Sequence, residues 1–195
     1  MEYLKNIILK YGKVLPGDIL KVDSFLNHQI DVEIMDNIGK GFAEAFKGLS
    51  PDKILTIETS GVAIAQTASL NMNRKPVVYA KKDAHANMSN DCFECKETSY
   101  TKGTDYMVRV SKEYLKKGEK VIIIDDFLAN GEALNALLTI CRQAQVEVLG
   151  IGVVIAKMYQ PGYERISKLC DNIQILAKVK SMSDDGKIEF LDWWN

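Results

Sequence analysis

The chain has 195 residues, 47% of them hydrophobic and 26% charged, and a formal net charge of only -1. At that size about 70% of the unfolded surface can be buried, so a full core is available, and a near-neutral balance offers no basis for a polyanion-binding surface. The longest apolar runs, "VIII" (121–124) and "GIGVVIA" (150–156), fall far short of the roughly 20 residues that span a bilayer.

The N-terminal "MEYLKNIILKYG" scatters acids and lysines where a secretory signal needs an apolar stretch. The expectation is a cytoplasmic protein that crosses no membrane and binds no nucleic acid. Four cysteines are too few for a disulfide scaffold. Only "CFEC", Cys92 to Cys95, has suggestive spacing, and a zinc site would need two further ligands. Cys141 sits on an apolar helical face, Cys170 is isolated, and the histidines are His28 and His85 alone, so no protein-held metal is expected.

In chain order, Leu4, Ile7, Ile8 and Tyr11 share one helical face over residues 1–12, with Gly12 as terminator. The stretch "VLPGDILKVDSFLNHQID" reads as irregular, with a turn at Pro16-Gly17. Residues 32–47 carry Ile34, Met35, Ile38, Phe42 and Phe46 at helical spacing and stop before Gly48 and Pro51. Short apolar strands then alternate with helices: strands at 53–58, 76–80, 106–110, 120–125, 148–156 and 173–179, helices at about 61–72 and 131–145. Strands apolar throughout are covered on both faces, which predicts an α/β fold with a doubly wound, mainly parallel sheet. Ligands in such sheets collect beyond the carboxyl ends of the strands. Residues 83–104 are polar and without clear periodicity, which predicts a mobile lid that includes a hairpin, with Ser99 and Tyr100 reaching the ligand.

"VIIIDDFLANGEALNAL" (121–137) sets Asp125 and Asp126 at a strand end, just before Gly131 and a helix. Free amides and partial positive charge at a helix start suit a phosphate, and two carboxylates beside them suit vicinal hydroxyls. By spacing alone a second reading stands equally: solvated acids, a plain turn and an asparagine helix cap. The loop is neither a lysine-bearing phosphate loop nor G-x-G-x-x-G, which argues against a nucleoside triphosphatase or a dehydrogenase.

This stretch resembles the phosphoribosyl pyrophosphate (PRPP) motif of the type I phosphoribosyltransferases, and "FLANG" is similar to the form found in the xanthine-using branch of that family in bacteria. The likeness extends through "LKVDSFLNHQID" (20–31), "IETSG" (57–61) and "IAKMYQPG" (155–162). It implies a single domain over 1–195, with a core at about 32–156 and a small hood from about 1–31 and 157–195. It also implies that Asp125 and Asp126 hold the ribose hydroxyls and that Ala129, Asn130, Gly131, Glu132 and Ala133 wrap the 5′-phosphate. The family usually has threonine where Asn130 stands. Thr59, Ser60 and Gly61 would turn backbone donors to the pyrophosphate, and Lys81 and Lys82 would add positive charge; apart from the resemblance, these are a helix cap and a solvated lysine pair.

Discriminating a carbonyl from an amine at purine position 6 needs a group that only donates, and Lys157, just past "GVVIA", is one. Its plain alternative is a surface lysine. The resemblance places Leu20 and Asn27 beside Lys157 around the base, Asn27 supplying a second donor for xanthine. The activity implied is transfer of the 5-phosphoribosyl group from PRPP to N9 of xanthine, with Mg2+ held mainly by substrate oxygens. Hypoxanthine or guanine as preferred base, and a non-catalytic PRPP-binding regulator, are the alternatives. Trp193 and Trp194 near the C-terminus would need a cover, which predicts a homodimer.

Overall fold

The computed structural model describes residues 1–82, 91–98, 105–183 and 185–191. Ser99, Tyr100, Trp193 and Trp194 lie outside the described residues. Helix α1 (Glu2–Tyr11) is followed by a hairpin of β1 (Lys13–Leu15) and β2 (Ile19–Lys21) and a single π-helical turn, Asp23–Asn27. Then come α2 (Val32–Ala45), β3 (Lys53–Ile57), α3 (Ser60–Asn71), β4 (Val77–Lys82), β5 (Cys92–Thr98) and β6 (Asp105–Ser111). The chain continues with β7 (Lys120–Leu128), α4 (Glu132–Ala144), β8 (Glu147–Lys157), α5 (Gly162–Ser167), β9 (Ile173–Met182) and β10 (Ile188–Phe190).

Eight strands form one sheet in the order β10-β9-β8-β7-β3-β4-β6-β5. The five central strands are parallel; β10 and β6 run against them at the two sides, and β5 pairs antiparallel with β6 at the outer edge. The expected doubly wound, mainly parallel α/β sheet is therefore the one observed. Its reason is visible in β7 and β8, where Val121 to Asp125 and Gly150 to Lys157 are buried without interruption, as strands roofed on both faces require. One core layer gathers Ile38 and Phe42 from α2, Phe46 at its C-cap, and Ile64 and Ala68 from α3; the other gathers Leu134, Leu137, Ile140 and Cys141 from α4.

Helix α2 begins where Asp31 accepts hydrogen bonds from the N–H groups of Glu33 and Ile34, both at 3.1 Å, which satisfies two of its orphan donors. The segment read as irregular contains the β1–β2 hairpin, paired as Lys13 with Lys21, Val14 with Leu20 and Leu15 with Ile19. Of the segment 83–104 expected to be a lid, only residues 91–98 are described, 83–90 and 99–104 lying outside the described residues. Strand β5 pairs with β6 from Cys92–Ser111 to Thr98–Asp105, with Phe93 and Cys95 packed against the α4 core layer. Among the described residues no helix is long and apolar enough to cross a membrane.

Candidate functional site

Strand β7 does not stop at its two acids. It continues to Leu128, pairing Asp125 with Val153 and Phe127 with Ile155 on β8. Asp125 is therefore held inside the sheet with only 4% of its surface exposed, and Asp126 is half-buried. The N–H of Asp126 donates to Asp125 Oδ1 at 2.9 Å, and that of Phe127 to Asp126 Oδ1 at 2.9 Å. Burial, and next the neighbouring Asp126 charge, push the Asp125 carboxyl well above the usual carboxylate range, against the opposing pull of Lys82.

The loop after β7 ends at Gly131, which occupies the N-cap of α4 with φ +86°. Only glycine adopts that backbone without steric cost. Among the described residues no side chain caps α4, and Asn130 stands before the cap position, so the asparagine-cap reading does not apply. The first-turn amides of α4 are left for another acceptor. The loop is braced from behind: Gly162 N–H donates to the Ala129 carbonyl at 2.9 Å, and a Cβ on Gly162 would lie 2.2 Å from that oxygen. The short helix α5, not anticipated from sequence, starts at this contact.

After β3, the peptide between Glu58 and Thr59 is cis. Thr59 takes the N-cap of α3, again without a side-chain cap bond. Gly61 brings the start of α3 against β3 and β7, since a Cβ there would meet Thr56 Oγ1 at 2.2 Å and Asp125 Oδ1 at 3.4 Å. Residues 59–61 and Asp125 thus border the same space. Lys82 joins them: its N–H donates to Glu58 Oε1 at 2.6 Å, its ammonium lies 5.6 Å from the centre of the Tyr106 ring, and its charge acts on Asp125.

Lys81 is not brought to this space within the chain. Adjacent residues of a strand point to opposite faces, and Lys81 lines a separate groove of about 500 Å3 with Tyr79, Arg109 and Tyr114. Two further groups at the site have no counterpart in the sequence reading. Tyr106 has its phenol raised by burial, then by Glu97, Glu132 and Asp125, and buried Glu97 accepts from Asn135 Nδ2 at 2.9 Å. The alternation of Phe93, Cys95 and Glu97 was the available signal, masked because two of the three are not large apolar residues.

At the far end of β8, Lys157 is 8% exposed. Its ammonium donates to the carbonyl of Asp18 in the β1–β2 turn and lies 3.6 Å from Asp18 Oδ2. Tyr159 OH donates to Asp18 Oδ1 at 2.5 Å, and Gln160 Nε2 donates to Asp18 Oδ2. Burial, then the bond to Asp18, raise the Tyr159 phenol above its ordinary value. Leu20 is buried in the hairpin, and Asn27 is exposed at the end of the π-helical turn. Lys157 is thus a buried group tied to the hairpin rather than a surface lysine.

Among the described residues no three His, Cys, Asp or Glu side chains stand close enough to hold a metal ion. Cys92 and Cys95, three apart on strand β5, project to opposite faces and are not a chelating pair.

The chain matches the family model "phosphoribosyl transferase domain" over residues 22–183. It is 51% identical over 190 residues to a protein of Laribacter hongkongensis named xanthine phosphoribosyltransferase, covering 97% of this chain and 100% of that one. It is 47% identical to xanthine phosphoribosyltransferase 1 of Clostridium perfringens over the same shares. Among solved structures, the adenine phosphoribosyltransferase of Trypanosoma brucei aligns with a TM-score of 0.77 at 16% identity, over 94% of this chain and 82% of that one. The Rhodothermus marinus enzyme of the same name aligns with a TM-score of 0.74 at 17% identity, over 91% and 99%. These two likenesses concern the fold. With the strand-acid-glycine loop in place, a family match over most of its length and relatives about half identical to it, the chain belongs to the phosphoribosyltransferase family.

Proposed function

We propose that this protein transfers the 5-phosphoribosyl group of PRPP to N9 of xanthine, giving xanthosine 5′-monophosphate and pyrophosphate. The observation that carries the reading is the approach of the α3 start to buried Asp125 at Gly61, on the same strand whose loop leads into a second helix start, α4 at Gly131; neither start is capped by a side chain among the described residues. One helix start suits the 5′-phosphate and the other the leaving pyrophosphate, with Lys82 adding charge at the second. The preference for xanthine rests on the names of relatives at 47–51% identity and on the donors Lys157 and Asn27.

Departure of pyrophosphate ahead of bonding to the base leaves positive charge on the ribose ring, as in glycoside cleavage. Asp125 and Asp126 hold the ribose hydroxyls and stabilise that charge, and the loop at 129–133 fixes the phosphate so that the ring is oriented for attack. Lys157 donates to the carbonyl at position 6, where adenine would present a second donor. No protein nucleophile enters the scheme. The hood is formed by the β1–β2 hairpin and π-helical turn with the segment after β8.

The carboxylate oxygens of Asp125 and Asp126 suit a hard cation reached through its water shell, and Mg2+ carried on the diphosphate fits that donor set. Bound there, Mg2+ would neutralise charge on the leaving group. We further propose a homodimer in the cytoplasm.

Calorimetric titration of PRPP with Mg2+ into the parent protein and Asp126→Asn tests the ribose-phosphate site; equal affinity in the two rejects the assignment. Steady-state rates with xanthine, hypoxanthine and guanine test the base. A higher kcat/KM for hypoxanthine or guanine replaces xanthine as the substrate.

A further inference from the structure

We infer that Asp18 is a positioning residue for base recognition: the carboxylate and carbonyl of this one turn residue gather Lys157, Tyr159 and Gln160 and thereby set how the end of β8 presents its donors to the base. The inference rests on the assignment of Lys157 to the base made above.

A lysine ammonium is a point charge with three donors on a flexible four-carbon stem, so its direction must be fixed from outside. Here one donor goes to the Asp18 carbonyl, and the Asp18 carboxylate stands 3.6 Å away. The stem is enclosed, the Lys157 side chain being 10% exposed. A donor therefore remains, and its direction is restricted by the bond already made.

The carboxylate is itself held from two sides. Tyr159 OH binds Oδ1, and Gln160 Nε2 binds Oδ2. With Nε2 so engaged, the Gln160 amide cannot turn over, and its Oε1 is left as a buried acceptor without a partner among the described residues. Leaving that acceptor unpaired costs free energy, and the bond from Nε2 to the Asp18 carboxylate offsets part of it. The residues joined are 139 to 142 positions apart in sequence, so the tether makes the hairpin turn and the strand end one unit.

Position 18 suits this task. Its backbone has φ +62°, a conformation that Asp, Asn and Gly adopt with least strain. Asp18→Asn and Asp18→Gly therefore remove the charge while leaving the turn its geometry. Asparagine keeps one acceptor oxygen and turns an N–H2 group toward the other donors, whereas glycine removes both carboxylate oxygens; both variants keep the backbone carbonyl that Lys157 binds, so they test the carboxylate that holds Tyr159 and Gln160.

The test is steady-state kinetics of both variants with PRPP and each of xanthine, hypoxanthine and adenine. Loss of a charge-assisted hydrogen bond predicts a KM for xanthine raised roughly five- to tenfold in Asp18→Asn and more in Asp18→Gly. The KM for PRPP and kcat at saturating xanthine stay within about twofold, and the preference for xanthine over adenine falls. A xanthine KM and preference unchanged in Asp18→Gly overturn the inference, as does a loss spread over kcat, both KM values and melting temperature, which marks a merely structural turn. A parent protein that forms no PRPP-dependent product with any 6-oxopurine refutes the underlying reading instead, a result distinct from active parent and unaltered variants.

Discussion

Asp126 hands its backbone N–H to Asp125 Oδ1 at 2.9 Å while its own carboxylate raises the proton affinity of the group it helps to solvate. One backbone bond does not offset burial, so Asp125 enters the folded state as a group that resists ionisation. Its unfolded carboxyl titrates near pH ~3.9, and its folded-state pKa lies higher. Below the unfolded value both states are protonated and no cost arises. Stability is lost as pH rises from there through the folded-state value. Asp125→Asn cannot ionise, so its melting temperature should exceed that of the ligand-free parent by a few degrees at pH 8, by an amount that shrinks toward pH 4. Turnover should fall sharply, the trade expected of a strained site group. Thermal melts across that range check it, and a gap independent of pH contradicts the assignment of the cost to Asp125 ionisation.

The phosphate loop depends on a second close approach. Gly162→Ala would set a methyl 2.2 Å from the Ala129 carbonyl and 2.8 Å from a methyl of Leu128, breaking the 2.9 Å bond that holds the loop. Forced overpacking of this kind costs about 1–3 kcal/mol. Because the displaced loop carries the proposed phosphate contacts, the KM for PRPP should rise about tenfold while that for the base changes less. Equal changes in both constants would place the damage elsewhere.

Much of this was legible in the sequence for one physical reason. The runs in β3, β7 and β8 are apolar because the sheet is roofed on both sides, and the acids and glycine of 125–131 interrupt that pattern where chemistry needs them. The β7 boundary was missed because two acids look like a strand end, yet Phe127 and Leu128 still find partners on β8. Lys81 and Lys82 read as one pair, although a period of two always separates neighbours on a strand. The β1–β2 hairpin and α5 are too short, at three and six residues, to leave a periodic signal. Nothing local announces that Asp18 meets Lys157, since the contact exists only once the sheet has formed.

Strand β5 is fastened to α4 by a side chain that imitates a neighbouring strand. Gln143 accepts from Glu94 N–H at 3.2 Å and donates to the Glu94 carbonyl at 2.8 Å. Gln143→Ala removes both bonds at an exposed position, a net loss of about 1–3 kcal/mol at roughly 0.5–1.5 kcal/mol each. The result should be local: amide hydrogen exchange across 92–98 accelerating about tenfold or more, with the protection of β7 and β8 unaltered. Exchange that leaves 92–98 as protected as before would mean that the β6 ladder alone holds this strand.

Lys157 offers the sharpest separation between reading a base and holding a fold. Its partner Asp18 has a side chain 38% exposed, so removing the lysine leaves a carboxylate that water can reach, not a charge trapped in the core. Lys157→Gln should therefore fold with a melting temperature close to the parent's. What it loses is exclusivity: an ammonium only donates, whereas an amide offers a donor and an acceptor and can turn either toward position 6. The kcat/KM for xanthine should fall about a hundredfold, equivalent to about 2.7 kcal/mol of transition-state binding. That for adenine should rise or hold, because the mismatch of two facing donors is relieved. If xanthine and adenine fall by the same factor, Lys157 serves the packing of the hairpin and another group reads the base.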